Sequence, residues 1–139
     1  MEKREFISNS PSETWDLGEQ LGRGAEPGQL YTIHGELGSG KTQLVKGIAR
    51  GIGVSDWEYV VSPSFTIMNV YEGHLVLAHV DLYRIGAAEA EDLNMEEYLQ
   101  KGIVVVEWAE RGEWWRDANI DITLENTGEN ERKIVIIRR

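Results

Sequence analysis

Apolar and polar residues alternate in several short stretches of the chain, as they do in β-strands that bury one face. The clearest stretch is 120–124, where every second residue is apolar, and a polar turn at 126–130 separates it from the apolar stretch 133–137. This arrangement predicts an antiparallel hairpin. By the same criteria, further strands are predicted at residues 5–8, 29–34, 59–61 and 103–107, with a second hairpin formed by 65–71 and 75–81.

Helical patterns lie between these strands. Residues 10–13 form a capping box with proline at the first helical position, which predicts a helix that ends near the glycines of 22–24. From Lys41 onward, apolar residues recur at helical spacing until a glycine at 51 or 53 ends the pattern. A third, short helix is predicted over 92–99.

Length and composition narrow the fold further. A chain of 139 residues with 41% hydrophobic residues suits a single domain, 1–139, with an ordered core. Its longest aliphatic runs have four residues, far short of the roughly 18 that span a bilayer. No apolar leader follows the charged amino terminus, so we expect a cytoplasmic protein without a membrane segment. The absence of cysteine excludes disulfides, thiolate zinc sites and cysteine nucleophiles.

The formal net charge of −10 is concentrated in residues 86–131, which hold 13 acidic and three basic side chains. Such a segment repels nucleic-acid phosphates at long range, so unassisted binding of nucleic acid through it is not expected. Two interpretations remain for this segment, a docking surface for a basic protein partner and a solvated surface that keeps the protein soluble.

One glycine-rich loop carries a chemical signature. Residues 35–42 match the phosphate-loop pattern, in which glycines let consecutive backbone N–H groups converge on phosphate oxygens. The helix after the loop adds the positive end of its dipole, Lys41 would reach the outer phosphates, and the Thr42 hydroxyl would bind magnesium. The candidate ligand-binding residues are Glu36, Leu37, Gly38, Ser39, Gly40, Lys41 and Thr42.

The predicted strand before this loop and the amphipathic helix after it are the context that the motif requires. Together with the order of elements, they predict an α/β fold, a three-layer P-loop NTPase with a mixed, mainly parallel central sheet and antiparallel hairpin additions.

Two carboxylates are placed to serve the loop. Asp81 and Glu107 each end a predicted strand, and ligands of open α/β sheets gather at the carboxyl ends of the strands. Phosphate loops need acidic groups to hold magnesium and to orient the attacking group. Both residues are therefore candidates for catalysis and for metal binding, and the spacing does not decide which has which role.

Three more residues are candidate contacts of a bound phosphate. The segment 62–66 resembles a switch loop that closes over the terminal phosphate and magnesium, with Ser64 and Thr66 as its contacts. A turn rich in backbone hydrogen bonds is the alternative. Trp108 follows Glu107 directly, so it can either contact a ligand at the end of the strand or pack in the core.

The three histidines form no metal-ligand spacing beyond His79 and Asp81, which share a strand face. A dedicated zinc site is therefore not expected. His34 and His79 are expected in or near the core of the sheet, and His74 at the tip of a hairpin.

These segments resemble the TsaE (formerly YjeE) family in order and spacing, over roughly residues 5–125. The resemblance is carried by the loop 35–42, the segment 62–66, the run His79-Val80-Asp81-Leu82-Tyr83-Arg84 and the pair Glu107-Trp108. Members of this family are small bacterial P-loop ATPases. They are required for N6-threonylcarbamoyladenosine, a modification next to the anticodon of tRNAs.

The resemblance implies that the chain binds ATP with magnesium and hydrolyses it slowly, acting beside the proteins TsaB and TsaD. TsaD catalyses the transfer to tRNA, so this chain would contact tRNA only indirectly or within the complex. The resemblance also implies phosphate and magnesium roles for Lys41 and Thr42, roles as the acidic pair for Asp81 and Glu107, and a place near the nucleotide for Trp108. Ser64 stands where many relatives have threonine.

Two other interpretations use the same loop. A small-molecule kinase would also need Lys41, but it usually adds a lid whose arginines stabilise the transferring phosphoryl group. Residues 86–131 offer only Arg111 and Arg116 for that purpose. A nucleotide-dependent scaffold, whose bound state matters more than its hydrolysis, differs little in sequence.

Overall fold

Seven strands and three helices are formed by the described residues of this computed structural model, which are 1–36, 38–63, 68–82, 93–108 and 118–139. The strands are β1 (Glu2–Ser8), β2 (Leu30–His34), β3 (Met68–Glu72), β4 (Val76–Asp81), β5 (Gly102–Glu107), β6 (Ile120–Asn126) and β7 (Arg132–Arg138). The helices are α1 (Pro11–Arg23), α2 (Lys41–Ile52) and α3 (Met95–Lys101), and a 3-10 turn spans Trp57–Tyr59. None of the helices in the described residues is long and apolar enough to cross a membrane.

All seven strands belong to one sheet, in the order β1-β7-β6-β2-β5-β4-β3. The four central strands β6, β2, β5 and β4 run parallel, whereas β7 pairs antiparallel with β6, β1 with β7, and β3 with β4. The described chain is therefore an α/β fold with a mixed sheet, and both predicted hairpins are confirmed. The expected parallel centre with antiparallel hairpin additions is also observed, because antiparallel strands form both edges.

The two faces of the sheet bury different side chains because successive residues of a strand point to opposite sides. On one face, Tyr31, Ile33 and Val105 pack in a core that includes apolar residues of α1 and α2. On the other face, Val104 and Val106 pack with apolar side chains of α3. Helix α2 therefore covers the face to which the odd-numbered residues of β2, β4 and β5 point, which we call the α2 face.

Helix α1 holds α2 at a short distance through pairs of glycines. Gly18 and Gly22 of α1 lie opposite Gly47 and Gly51 of α2, and a Cβ on Gly18 would lie 2.8 Å from the Gly47 Cα. Side chains at these positions would force the helices apart. This close contact fixes α2, and with it the glycine-rich loop that leads into the helix.

The predicted strand at 59–61 is wrong. Trp57–Tyr59 forms the 3-10 turn, in which the Tyr59 amide donates to the Asp56 carbonyl at 2.9 Å, and Tyr59 is 79% exposed. Trp57 packs edge-on against Trp15 of α1, with ring centroids 5.5 Å apart. This tertiary contact and the local turn override the β-propensity of the segment.

Other boundaries differ by a few residues. Strand β1 begins at Glu2 and not at residue 5, and α3 spans Met95–Lys101 where 92–99 is predicted. The predicted N-cap is confirmed, since the Glu13 amide donates to Ser10 Oγ at 3.2 Å, but the Glu13 carboxylate accepts from the Asn9 amide at 3.4 Å and not from that of Ser10 as a capping box requires. The first part of the predicted strand 65–71 lies outside the described residues.

Candidate functional site

The glycine-rich loop connects the carboxyl end of β2 to α2, and its glycines are required by its shape. Gly38 and Gly40 have positive φ angles of 78° and 97°. Residues other than glycine rarely adopt such angles. A Cβ on Gly35 would meet Ser39 Oγ and lie 2.9 Å from the Leu124 carbonyl oxygen. Positive φ angles and close backbone contacts therefore require glycine at these positions of the motif.

The loop leaves polar groups without protein partners at the start of α2. The helix begins after Gly40, and no side chain of the described residues caps it, although the first N–H groups of any helix lack partners within the helix. Ser39 Oγ is buried and has no hydrogen-bond partner among the described residues. Unpaired donors at a helix N-terminus are the groups that bind anions.

Lys41 lies folded over the loop. Its side chain is buried, its Nζ donates to the carbonyl oxygen of Gly35, and the carbonyl oxygen of Glu36 lies 3.5 Å away. The same Nζ is 4.3 Å from the ring centroid of Trp108, a cation–π distance. Among the described residues, these contacts of the ammonium are to neutral carbonyls and a ring, which it can exchange for an anion.

Trp108 has the two kinds of contact that the sequence left as alternatives. Its ring contacts Lys41 in the glycine-rich loop and also packs against the core that contains Val106. Its φ angle of 59° is positive, a conformation that is uncommon for large side chains and concentrates at functional sites.

The two candidate carboxylates lie side by side. Asp81 and Glu107 are register partners at the ends of the parallel strands β4 and β5, so both point to the α2 face. Glu107 is 2% exposed, whereas Asp81 is partly exposed. The structure thus places both carboxylates at the carboxyl ends of the central strands, where β2 also leads into the glycine-rich loop.

Glu107 takes part in a chain of hydrogen bonds that begins at the loop. Thr42 Oγ1 is 2.8 Å from Ser62 Oγ, and Ser62 Oγ donates to Glu107 Oε2 at 3.2 Å. The same oxygen is 2.5 Å from Nε2 of His79. A continuous polar path therefore joins the proposed magnesium ligand Thr42 to the centre of the sheet.

The charge of Glu107 is set by these neighbours. Burial acts to raise the pKa of the carboxyl, but the hydrogen bond from His79, the positive charge of Lys41 and the hydrogen bond from Ser62 outweigh it and lower the pKa. Glu107 is therefore an ionised carboxylate at neutral pH inside a nearly closed site. Such a group can accept a hydrogen bond or a proton from a water molecule.

Comparison with known proteins identifies the family of this chain. The family model described as "Threonylcarbamoyl adenosine biosynthesis protein TsaE" matches residues 8–134. The chain belongs to the TsaE family. Proteins named tRNA threonylcarbamoyladenosine biosynthesis protein TsaE are similar along most of their length.

The TsaE protein of Nostoc sp. is 37% identical over 137 residues, which cover 94% of this chain and 83% of that protein. The TsaE protein of Aquifex aeolicus is 34% identical, with 98% and 97% of the two chains covered. The crystal structure of Bacillus subtilis YdiB superposes with a TM-score of 0.76 at 29% identity, covering 99% of this chain and 86% of that one.

Ser62 is a member of the site that the sequence-based choice of Ser64 and Thr66 missed. Its hydroxyl links Thr42 to Glu107, residues that are 20 positions before it and 45 after it. The signal available was its position in the same hydroxyl-rich segment of this TsaE-family chain. Leu37, Ser64 and Thr66 lie outside the described residues, so their predicted contacts stay predictions.

The three histidines lie in different environments. His79 is fully buried in β4 and His34 is partly buried at the end of β2, while His74 is exposed in the turn between β3 and β4. His34 Nε2 is 2.6 Å from Asp121 Oδ1, to which Thr32 Oγ1 also donates at 2.5 Å. This second histidine–carboxylate pair lies on the face opposite the α2 face.

A cavity opens beside the loop. It has a volume of about 470 Å³ and is lined by Gly35, Glu36, Trp108 and residues 123–126 of β6. Arg132, at the start of β7, donates to carbonyls of the turn before it and to the Gly38 carbonyl at 3.4 Å. The turn between β6 and β7 is thereby tied to the glycine-rich loop next to the cavity.

Proposed function

We propose that this TsaE-family chain is an ATP-binding protein of the P-loop NTPase class with weak, magnesium-dependent ATPase activity. It is required, together with TsaB and TsaD, for the N6-threonylcarbamoyladenosine modification of tRNA. The ATPase part is carried by one observation, the hydrogen-bonded chain from Thr42 through Ser62 to the ionised Glu107. The tRNA part is supported by membership of the family and by the names of the relatives.

The residues of the loop fit a magnesium nucleotide. The uncapped N-terminus of α2 and the Ser39 hydroxyl are free to bind phosphate oxygens. Lys41 gains from exchanging carbonyl partners for phosphate oxygens, because the negative charge of phosphate attracts the ammonium and a carbonyl carries no net charge. Thr42 would hold magnesium, which when bound supplies positive charge to the β- and γ-phosphates.

The carboxylates divide two tasks in this proposal. Glu107, held in place and ionised, orients and polarises the attacking water. Asp81, its partly exposed register partner, contacts hydrated magnesium. Ser64 and Thr66 complete the site as switch-loop contacts of the terminal phosphate.

The cavity beside the loop suits the remainder of the nucleotide. Its volume of about 470 Å³ lies in the range of roughly 300–1,000 Å³ that is usual for small-molecule sites. The Trp108 ring on its wall offers an aromatic surface for a ligand. We further propose that residues 1–139 act as one domain in the cytoplasm and that tRNA is contacted only indirectly or within the complex with TsaB and TsaD.

Analysis of tRNA nucleosides tests the proposal in cells. Cells that lack this protein should lose threonylcarbamoyladenosine, as measured by mass spectrometry of digested tRNA. A plasmid copy should restore it, and a Lys41→Ala copy should not. An unchanged level of the modified nucleoside in the deletion strain would rule out the assigned pathway.

Phosphate release distinguishes the ATPase from a small-molecule kinase. We expect the purified protein to release phosphate slowly from ATP and magnesium and to be stimulated by TsaB and TsaD. Transfer of phosphate to a metabolite, without such stimulation, would support the kinase instead.

A further inference from the structure

His79 is a polar side chain in the interior of the sheet with a single polar contact among the described residues. Its side chain is 0% exposed, and Nε2 lies 2.5 Å from Glu107 Oε2. The other ring nitrogen, Nδ1, is buried and has no hydrogen-bond partner in the part of the chain that the structure describes. A buried polar atom without a partner is unfavourable, so an imidazole at this position carries a cost in stability.

The surroundings of His79 would accept an apolar side chain. Val105, its register partner on β5, and Leu77, two positions earlier on β4, are both fully buried in the core on the α2 face. An aliphatic residue at position 79 would continue this core. The imidazole adds one interaction that an aliphatic side chain lacks, the hydrogen bond to Glu107.

The direction of this hydrogen bond follows from the charge of its acceptor. An ionised carboxylate can only accept, so Nε2 of His79 carries the proton and donates. Ser62 also donates to Oε2. Both hydrogen bonds end on Oε2, which leaves Oε1 as the oxygen of Glu107 that neither His79 nor Ser62 engages.

We propose that His79 is a positioning residue, which fixes the orientation of Glu107 through Oε2 and so reserves Oε1 for the attacking water. The inference rests on the proposed ATPase function, in which Glu107 acts on the nucleotide. His79 acts only through Glu107 and does not contact the ligand.

Two substitutions of His79 test this role. His79→Leu removes the donor but keeps the bulk, whereas the side-chain amide of His79→Gln can still donate to Oε2. Groups that orient a metal ligand or a catalytic group typically contribute about 10- to 100-fold to activity. We expect that loss in ATP hydrolysis for the leucine variant and a clearly smaller one for the glutamine variant, with ATP affinity within about 3-fold of wild type in both. Equal losses in the two variants would overturn the proposal.

A double-mutant cycle separates positioning from a general loss of stability. If His79 acts through Glu107, His79→Leu should have no further effect on hydrolysis in a Glu107→Gln background. Independent, multiplying losses would overturn the proposal. Ile103→Val on β5 is the matched control, because it trims the same buried core without touching Glu107, and its hydrolysis per folded molecule should equal that of the wild type.

Histidine NMR of the ligand-free protein gives a readout that needs no activity and no substituted His79. We expect Nε2 to be the protonated nitrogen of His79, with a downfield proton signal that moves in Glu107→Ala. A ring protonated only at Nδ1, or a signal that Glu107→Ala leaves unchanged, would overturn the proposal. If the wild type releases no phosphate under any condition, the proposed function fails, whereas this measurement still decides the arrangement of His79.

Discussion

Two carboxylates on opposite faces of the sheet have the same kind of partners. Glu107 Oε2 accepts hydrogen bonds from His79 Nε2 and from the Ser62 hydroxyl. Asp121 Oδ1 accepts from a histidine Nε2 and from the hydroxyl of its register partner on β2. The hydrogen bonds from histidine are 2.5 and 2.6 Å long, and both carboxyls have pKa values below their ordinary ones.

The environments of the two pairs differ. The side chains of His79 and Glu107 are 0% and 3% exposed, whereas those of His34 and Asp121 are 26% and 20% exposed. Lys41 adds its positive charge to the first pair, and Ser62 connects it to Thr42 in the glycine-rich loop. In the second pair, Asp121 accepts hydrogen bonds from His34 and Thr32 and lies near the positive charge of Arg139. The same hydrogen-bonding groups can therefore serve a ligand site in one place and the sheet itself in another, according to burial and neighbours.

The largest expected difference between the pairs concerns hydrolysis. A positioned acid or base typically contributes about 100- to 10,000-fold to a rate, so we expect Glu107→Gln to lower ATP hydrolysis by at least the lower figure. Asp121→Asn should leave hydrolysis within about 2-fold of wild type. Asp121 lies on the face opposite the α2 face, and substitutions away from a functional site usually have small effects. Phosphate release at saturating ATP measures both, and equal losses would remove the distinction between the pairs.

Substitution of Lys41 tests the positive charge that the glycine-rich loop adds to the first pair. Its ammonium should donate about two hydrogen bonds to phosphate, each worth about 1.5–3 kcal/mol because charge is involved. We expect Lys41→Ala to weaken ATP binding about 100-fold or more, as measured by calorimetry. Lys46→Ala is the control, since this partly exposed lysine of the same helix donates to the Glu58 carbonyl and not to the loop. Unchanged affinity in Lys41→Ala would contradict the site.

The hydroxyl donors give a smaller effect. Ser62→Ala removes the link between Thr42 and Glu107, and a net hydrogen-bond contribution of about 0.5–1.5 kcal/mol corresponds to a loss of about 3- to 10-fold in hydrolysis. Thr32→Val removes the matching donor from Asp121 and should leave the rate unchanged. Full activity of Ser62→Ala would contradict a functional polar path from the loop to Glu107.

The smallest expected difference concerns how the free energy of unfolding depends on pH. Both carboxyls have lowered pKa values in the folded protein, so their stabilising contributions are present at neutral pH and are lost as pH falls through the folded pKa values. The loss begins below the ordinary value of 4.5 for Glu107 and 3.8 for Asp121. Glu107→Gln should flatten the acid limb of the unfolding free energy, and Asp121→Asn should flatten it only at lower pH. Urea unfolding across this pH range measures the free energy of unfolding. If both variants show the same pH dependence as the wild type, the lowered pKa values are contradicted.

Much of the fold could be predicted from local patterns. The helix from Pro11 follows from its N-cap sequence, and the antiparallel hairpin of β6 and β7 follows from strict alternation around a polar turn. The structure of the segment 59–61 could not be predicted in this way, because Trp57 packs against Trp15, which lies 42 positions earlier. The glycine pairs between α1 and α2 also escaped prediction, since their effect depends on two helices meeting.

The candidate site shows the same division. The loop 35–42 and the strand ends Asp81 and Glu107 could be chosen from sequence, because motif spacing and strand direction decide them. Ser62 and His79 could not be tied to Glu107, because their contacts span 45 and 28 positions and depend on which strands are neighbours. Strand order is a property of the whole sheet.

The most direct test of the central claim is an amide NMR titration of the protein with magnesium and a non-hydrolysable ATP analogue. The account predicts saturable shifts that are largest for residues 38–42 and for Glu107 and Trp108, with little change at Asp121. Shifts that do not saturate, or that cluster away from the glycine-rich loop, would contradict it.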